Sequence, residues 1–522
     1  MSKKAAKKDA RKQRKKHKHV LPEPGTSEDV VYKDVVAVLG QAAVDEAIAS
    51  GTEWESPFGF LEEVEVTVSA MSSSGEALAL ATIERRPWVI VVPFALPGER
   101  LRARVYRQSR LHSFADLVSI EEPNNELRDM SRVKCKYFGK CAGCQYQMLS
   151  YETQLDLKRD VVVKAYQNYS DLSPSVIPPI QPTIASPLQY GYRTKITPHF
   201  DAPPKKLAKA GAPPGEAKPD WLKIGFNHIG KRHVMDIEEC PIATPVLNEA
   251  YGPLREDITK KIYSYKKGVS LLLRDSLERP EGETDAVAEL STALEKHVCI
   301  TDHKATVRER VGSTVFEYQA GSFFQNNNSV LVPLTTYVRD AIFPPGSATL
   351  PSERPTHLVD AYCGAGLFAL TLAPHFTHVA GIELSADSIR FATHNAALNG
   401  FPAGQLSFRA GDAAHIFGAV PEFPPRRTVL VIDPPRKGCD APFIAQLLAF
   451  RPRTVVYVSC NVHTQARDVG MILRQSEAGG GKGEGKGRYV LESLRGFDLF
   501  PQTAHVESVA VLQLVDVPAG EA

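Results

Sequence analysis

From His357 onward, short β-branched runs alternate with segments of helical character: HLVDAYC then GLFALTLA, HVAGIEL then ADSIRFATHNAALNG, TVLVIDPP then APFIAQLLAF, TVVYVSC then VHTQARDVGMILRQ. Parallel strands need long crossovers, and helices supply them, so this alternation implies βαβ units and a parallel sheet with helices on both faces. Ser385 is placed to cap the second of these helices and Gly400 to stop it. In an open sheet of this kind the ligand crevice lies at the carboxyl ends of the strands. The residues that close each strand therefore carry the chemical argument.

Those residues are acidic or glycine. LVDAYCGAGLFA puts Asp360 at the first strand end, Tyr362 just beyond it, and Gly364 and Gly366 in the turn before a helix. Glycine lets a backbone approach a ligand, and carboxylates bind hydroxyls and amines. The G-x-G-x-x-A spacing also satisfies a loose dinucleotide pattern, which keeps an NAD-linked oxidoreductase in view. Glu383 closes the next strand, where a carboxylate can take both ribose hydroxyls; Asp412 follows the third in RAGD, and Asp433 opens DPPRKG after the fourth. Each alone serves as an ordinary cap or turn residue; together they outline one crevice. About 165 residues remain from His357, too few for a second nucleotide-binding half, so a single adenosyl ligand fits better than NAD.

The strand TVVYVS ends on Cys460, followed by Asn461 and His463. A thiolate is a strong nucleophile, and its free pKa of about 8.5 falls near donors or cations, so Asn461 and His463 are candidates to polarise it. The plain alternative is a small structural cysteine filling space. In FPQTAHVESVAVLQL, Glu507 lies within an apolar strand, where an unpaired carboxylate is costly and burial raises its pKa toward that of a base. A satisfied salt bridge is the alternative there.

Ten Lys and Arg crowd the first eighteen residues, a block too charged to fold alone; removing it with Asp9 leaves 52 basic against 59 acidic residues. Polyanion contact must then come from this arm or from local patches. The arm suits nuclear import, RNA capture or solubility equally. No apolar run of membrane-spanning length and no hydrophobic signal core occur, so the expectation is an intracellular chain, cytoplasmic or nuclear, with a mitochondrial location less favoured and no obligate protein partner evident. Residues 26–54 read as a helical connector. The pieces LEEVEVTVSAM to ADLVSIEEP read as a small antiparallel barrel, a module that often binds oligonucleotides but as often does not.

Cys135, Cys141 and Cys144 form C-x5-C-x2-C, and Cys240 in CPI offers a fourth thiol. Four thiolates suit an iron–sulfur cluster or zinc, and spacing alone does not choose. A helical segment follows the cluster, and residues 190–320 are strand-rich. Polar inserts (APPKKLAKAGAPPGEAKPD, SLERPEGETDA), a Pro-rich linker before His357 and the glycine-rich EAGGGKGEGKG read as loops.

CKYFGKCAGC, SFFQNNNS, DAYCGAG, DPPRKG, VSCN and AHVES, in this order, resemble the S-adenosylmethionine-dependent RNA uracil-C5 methyltransferases over roughly residues 55–515. The β-rich segment is similar to their TRAM domain. The resemblance implies an α/β fold with a Rossmann-like, seven-stranded methyltransferase domain over 321–522. It would be preceded by a basic arm and connector (1–54), a TRAM- or OB-like barrel (55–122) and a β-rich RNA-binding domain (123–320). It implies that Cys460 adds to carbon 6 of uracil and that Glu507 removes the carbon 5 proton after methylation. Gln325, Asp360, Tyr362, Gly364, Glu383, Asp412 and Asp433 would bind cofactor or substrate, and Arg436 an RNA phosphate or the base unless it sits in a surface ion pair. A [4Fe–4S] cluster on Cys135, Cys141, Cys144 and Cys240 is implied too, as is RNA as partner, with a tRNA T-loop uridine favoured over ribosomal RNA. That uridine would be flipped out of its stack. A non-catalytic RNA chaperone is the remaining rival. One departure stands out: the family places proline after SCN, where this chain has Val462, which removes a stiffener from that turn.

Overall fold

A computed structural model describes residues 20–81, 86–210, 218–279, 295–346, 354–411, 417–418, 420–478 and 487–516. The basic arm, Asp412, most of SLERPEGETDA and the glycine-rich run 479–486 lie outside the described residues. The chain divides into two compact units. One comprises residues 1–139, 144–164 and 502–505, the other 140–143, 165–501 and 506–522.

The first unit holds a closed barrel of β1 (Glu63–Met71), β2 (Ala77–Leu80), β3 (Val89–Val92), β4 (Arg100–Gln108) and β5 (His112–Glu122), in the order β1-β2-β3-β5-β4. It is not wholly antiparallel as expected, because β4 comes between β3 and β5 in the chain and those two pair in parallel. Alternation does the sorting: Val64, Val66 and Val68 of β1 and Leu101, Ala103 and Val105 of β4 point inward, and the charged residues between them point out. The outward arginines are answered by neighbouring strands, Arg104 by Glu63 at 2.7 Å and Arg100 by Glu122 at 2.5 Å. This face is thus charge-balanced, not a bare cationic platform. Two helices, Ser27–Leu39 and Gln41–Ala49, precede the barrel, broken at Gly40 with φ +79°. Asp34 fixes the first by accepting from Ser73 N at 2.7 Å and Ser73 Oγ at 3.2 Å.

In the second unit, β6 (Gln181–Ile184) comes first. Small antiparallel pairings follow among β7 (Lys195–Ile196), β8 (His199–Phe200), β9 (Val269–Ser270), β10 (Leu273–Leu277), β11 (His297–Ile300), β12 (Thr306–Val311) and β13 (Thr314–Gln319). The main sheet is built from β14 (His357–Ala361), β15 (His378–Glu383), β16 (Leu406–Ala410), β17 (Thr428–Ile432), β18 (Thr454–Ser459), β19 (Gly487–Phe497) and β20 (Glu507–Asp516), with β6 at its edge. Its order is β16-β15-β14-β17-β18-β20-β19-β6. The strands from β16 to β18 run parallel, β20 runs against β18 and β19 against β20.

The seven strands expected of residues 321–522 are β14 to β20; among the described residues the sheet gains an eighth, β6, from outside that range. That strand, β6, lies in the proline-rich PPIQPTIASP; an edge strand tolerates the prolines, because only one side of it must pair. It covers the exposed edge of β19, with Asp498 N donating to Ile184 O at 2.9 Å. The βαβ reading of the sequence holds elsewhere. The helix Ala386–Leu398 starts at Ser385, whose hydroxyl accepts from Ser388 N at 3.2 Å, and ends before Gly400, with φ +69°. Leu358, Val379, Val429, Val431, Val456, Val458, Phe497, Val509 and Val511 are the sheet's residues in the main core cluster.

Candidate active site

The carboxyl ends of β14 and β15 form the first half of the site. Asp360 is buried, and its Oδ2 accepts from Ala369 N at 2.8 Å, which ties the strand end to the following helix, Leu367–Leu372. Its Oδ1 is buried without a hydrogen-bond partner. Burial, with the Glu383 charge adding to it, pushes the Asp360 carboxyl up to about 7. Tyr362 follows with φ +64°, a left-handed conformation that is costly for a residue with a side chain and is held here by the turn. Its ring lies 5.7 Å from that of Phe443.

The two glycines do different things. Gly366 has φ +96°, and a Cβ there would come within 2.3 Å of Leu370 Cδ1, so its bareness serves packing. Gly364 has φ +53° and nothing within 4 Å of where a Cβ would stand, so its backbone faces open space. Gly364 N donates to Glu383 Oε2 at 3.3 Å, and Ser385 N donates to Glu383 Oε1 at 2.9 Å. An open glycine peptide, a fixed carboxylate at the next strand end and a buried acceptor at Asp360 fit an adenosyl ligand with hydroxyl and amine donors.

Gln325 is buried in the SFFQNNNS segment between β13 and the helix Leu331–Ile342. Three asparagines that the sequence reading passed over stake this segment down. Asn326 Oδ1 accepts from Arg274 at 3.0 Å, Asn327 donates to Leu499 O at 3.1 Å, and Asn328 donates to Glu309 at 3.1 Å. The signal was present in the sequence as three consecutive amides ahead of a helix.

The second half of the site gathers on β17, β18 and β20. The β18–β20 ladder ends with Ser459 opposite Ser508, so Cys460 and Glu507 stand side by side just beyond the last pair. Asp433 leaves β17 on the neighbouring side, its N donating to Ala361 O at 3.3 Å. Glu507 is almost fully buried. Burial first, then the Glu507 and Asp360 charges, hold Asp433 well above the usual carboxylate range. Burial likewise pushes the Cys460 thiol up to about 12, with Glu507 and Asp433 adding to it and Arg436 opposing. At neutral pH the resting residue is therefore a thiol, beside Glu507 and Asp433.

This corrects the sequence expectation about what polarises Cys460. His463 packs edge-on against Tyr169, with ring centroids 5.3 Å apart, and burial lowers it to about 4, so it is neutral and brings no positive charge. Asn461 spends its amide on the Arg436 carbonyl at 2.9 Å and its side-chain oxygen on His463 N at 3.2 Å. The cation that favours the thiolate is instead Arg436, exposed on the DPPRKG loop. Val462 is buried at the first position of the helix Val462–Ala478, where a proline's missing N–H would cost nothing. The turn is held without it: Ser459 Oγ accepts from Asn461 N at 3.1 Å, and Thr464 Oγ1 donates to Arg436 O at 3.1 Å.

Cys135, Cys141, Cys144 and Cys240 are all partly buried. Among the described residues no group of three or more His, Cys, Asp or Glu side chains is arranged to hold a metal ion. The iron–sulfur expectation is therefore not met by an assembled ligand set, since chain spacing fixes neither side-chain direction nor convergence. Among the described residues, no helix is long and apolar enough to cross a membrane.

The family model for tRNA (Uracil-5-)-methyltransferase matches residues 281–409. The chain is 43% identical over 512 residues to the tRNA (uracil(54)-C(5))-methyltransferase of Schizosaccharomyces pombe, covering 98% of this chain and 88% of that protein. It is 35% identical over 528 residues to the enzyme of the same description from Saccharomyces cerevisiae, covering 95% and 80%. Among solved structures, Pyrococcus abyssi tRNA (uracil-54, C5)-methyltransferase in complex with S-adenosyl-L-homocysteine matches in fold. Its TM-score is 0.57 at 22% identity, over 86% of this chain and all of that one.

Proposed function

The chain belongs to the tRNA (uracil-5-)-methyltransferase family, and from that premise we propose that it methylates carbon 5 of a tRNA uridine, at uracil 54, through a transient bond to Cys460. The observation that carries this reading is the meeting of Cys460, Glu507 and Asp433 at adjoining strand ends, beside the glycine turn of Asp360.

Carbon 5 of uracil is too weakly nucleophilic to take a methyl group directly. Covalent catalysis divides the hard step into easier ones. The Cys460 thiol gives its proton to solvent as its sulfur bonds to carbon 6, and the electron pair of the 5,6 double bond moves to make an enolate, with Arg436 favouring the thiolate that attacks. Bound S-adenosylmethionine supplies an electrophilic methyl group, which carbon 5 accepts. Glu507 then takes the carbon 5 proton, the 5,6 double bond re-forms, and sulfur leaves. The low-polarity setting of Glu507 keeps water from competing for that proton. Asp360, Gly364 and Glu383 hold the cofactor's adenosyl part in this reading, with Gln325, Tyr362 and Asp433 toward the reacting end.

The test supplies methyl-labelled cofactor to separate tRNA and ribosomal RNA pools, and to a tRNA with cytidine at position 54. Label is expected in tRNA and absent from the cytidine variant; label confined to ribosomal RNA, or unchanged by the substitution, overturns the assignment.

A [4Fe–4S] cluster on Cys135, Cys141, Cys144 and Cys240 is supported by their number and spacing in the chain. Methyl transfer needs no electron, so such a group would only staple the fold. Anaerobically purified protein is then expected to be brown, with iron and sulfide near four per chain. A colourless sample with stoichiometric zinc rules the cluster out. The basic arm supports phosphate contact and a cytoplasmic or nuclear place of action.

A further inference from the structure

The hydrogen-bond ladder that aligns β18 with β20 stops at Ser459 and Ser508, one residue short of both reacting groups. From there the chain turns away on each side, into the helix Val462–Ala478 after Cys460 and out of the connection from β19 before Glu507. Glu507 is still paired with Phe497 of β19, but beyond Ser459 no ladder pair ties β18 to β20, and the last position of a ladder frays most easily. A site that needs sulfur and carboxylate at a fixed separation therefore needs a second tie.

Gln465 supplies one. It is completely buried on the first turns of the helix that begins just after Cys460. Its Nε2 donates to Tyr457 O at 2.8 Å, on the strand that carries the thiol, and to Ser508 O at 3.2 Å, beside the carboxylate. Its Oε1 accepts from Ser508 Oγ at 2.6 Å and from Tyr166 OH at 3.3 Å. Its own backbone N donates to Asn461 O at 3.1 Å, which fixes it to the turn next to Cys460. A primary amide carries two donor hydrogens and a two-lone-pair acceptor in one plane, and these contacts use all of them. Leucine or methionine would fill the volume but bridge nothing.

We propose that Gln465 is a positioning residue, whose buried amide sets the separation and alignment of Cys460 and Glu507 by clamping the ends of β18 and β20. This rests on the function proposed above. It also gives the turn after Cys460 a source of stiffness in place of the family's proline. Gln465 touches neither substrate nor cofactor; it acts through the two residues that do the chemistry.

The test uses the full-length Gln465→Met variant, which keeps the volume and removes the bridge. Its melting temperature, KM for tRNA, KM for cofactor, kcat and single-turnover adduct formation with 5-fluorouridine tRNA are measured against wild type. Well below the variant's melting temperature, kcat and the adduct rate are expected to fall about 10- to 100-fold, because a displacement of about 1 Å at reacting atoms costs that much. Both KM values should stay within about twofold, since the interactions lost do not bind the ground state. A purely architectural glutamine would lower the melting temperature alone. A folded Gln465→Met with kcat within about twofold of wild type overturns the proposal, whatever its melting temperature. Should that variant fail to fold, Ser508→Ala, which deletes one donor to the same amide, carries the test. It should lower kcat about 3- to 10-fold at unchanged KM, and an unaltered kcat overturns the proposal equally. Wild-type protein that forms no adduct at all would instead overturn the function on which this role rests.

Discussion

Cys460→Ala loses turnover by at least about 10⁴-fold, since removal of a covalent nucleophile leaves only binding and orientation. Cofactor affinity should be unchanged, because the adenosyl crevice is built on β14 and β15 rather than on β18. The diagnostic measurement is a mixture of protein, cofactor and tRNA carrying 5-fluorouridine at the target. Fluorine does not leave as a proton does, so wild type should run as a stable protein–RNA adduct on a denaturing gel and Cys460→Ala as free protein. Full turnover by the alanine variant would remove the covalent route altogether. A serine variant should fare little better, because an alkoxide is far harder to form than a thiolate at neutral pH.

The second large effect separates the two halves of the reaction. Glu507→Gln keeps the size and most of the hydrogen-bonding capacity of the side chain and removes its basicity. Turnover should drop about 10²- to 10⁴-fold, the usual contribution of a positioned general base. Unlike the cysteine variant, it should still add to carbon 6 and still methylate. Adduct is then expected to accumulate with ordinary uridine, methylated and unable to eliminate. A Glu507→Gln enzyme that turns over at the wild-type rate, or that shows no adduct while losing activity, would take the base role away from this residue. The substitution also removes one of the charges that raise Cys460 and Asp433, so the thiol should attack at least as readily in the variant.

Several parts of this architecture were legible in the residues. Period-two alternation in EVEVTVSAM and the run TVVYVS each report a strand whatever the rest of the chain does, because side-chain direction alternates along an extended backbone. Ser385 and Gly400 bound their helix by local hydrogen bonding and backbone freedom alone. The closed barrel, the parallel sheet and the acidic strand ends followed from such local signals.

What stayed hidden was set by distant partners. β6 gave no strand signal of its own, and its place on the sheet is decided by the open edge of β19. His463 looked like an activator because it is close to Cys460 in sequence; Tyr169 buries it, and burial leaves it neutral. Arg436, whose charge opposes the rise of the same thiol, comes from a different loop, and Gln465, which bonds the strand that carries it, from the buried side of the next helix. The cysteine spacing suggested a metal group that the described side chains do not assemble.

The sequence by itself determined which chemical groups the chain owns and the order of strand and helix that carries them, because both depend on contacts a few residues long. Only the tertiary structure decided that a thiol ending one strand and a carboxylate starting another become neighbours, and that burial, with Glu507 and Asp433 adding to it, pushes that thiol up. The physical reason is that hydrogen-bond register and the local dielectric are properties of the packed sheet: Ser459 meets Ser508 because β20 returns antiparallel to β18, and no run of residues read alone contains that fact.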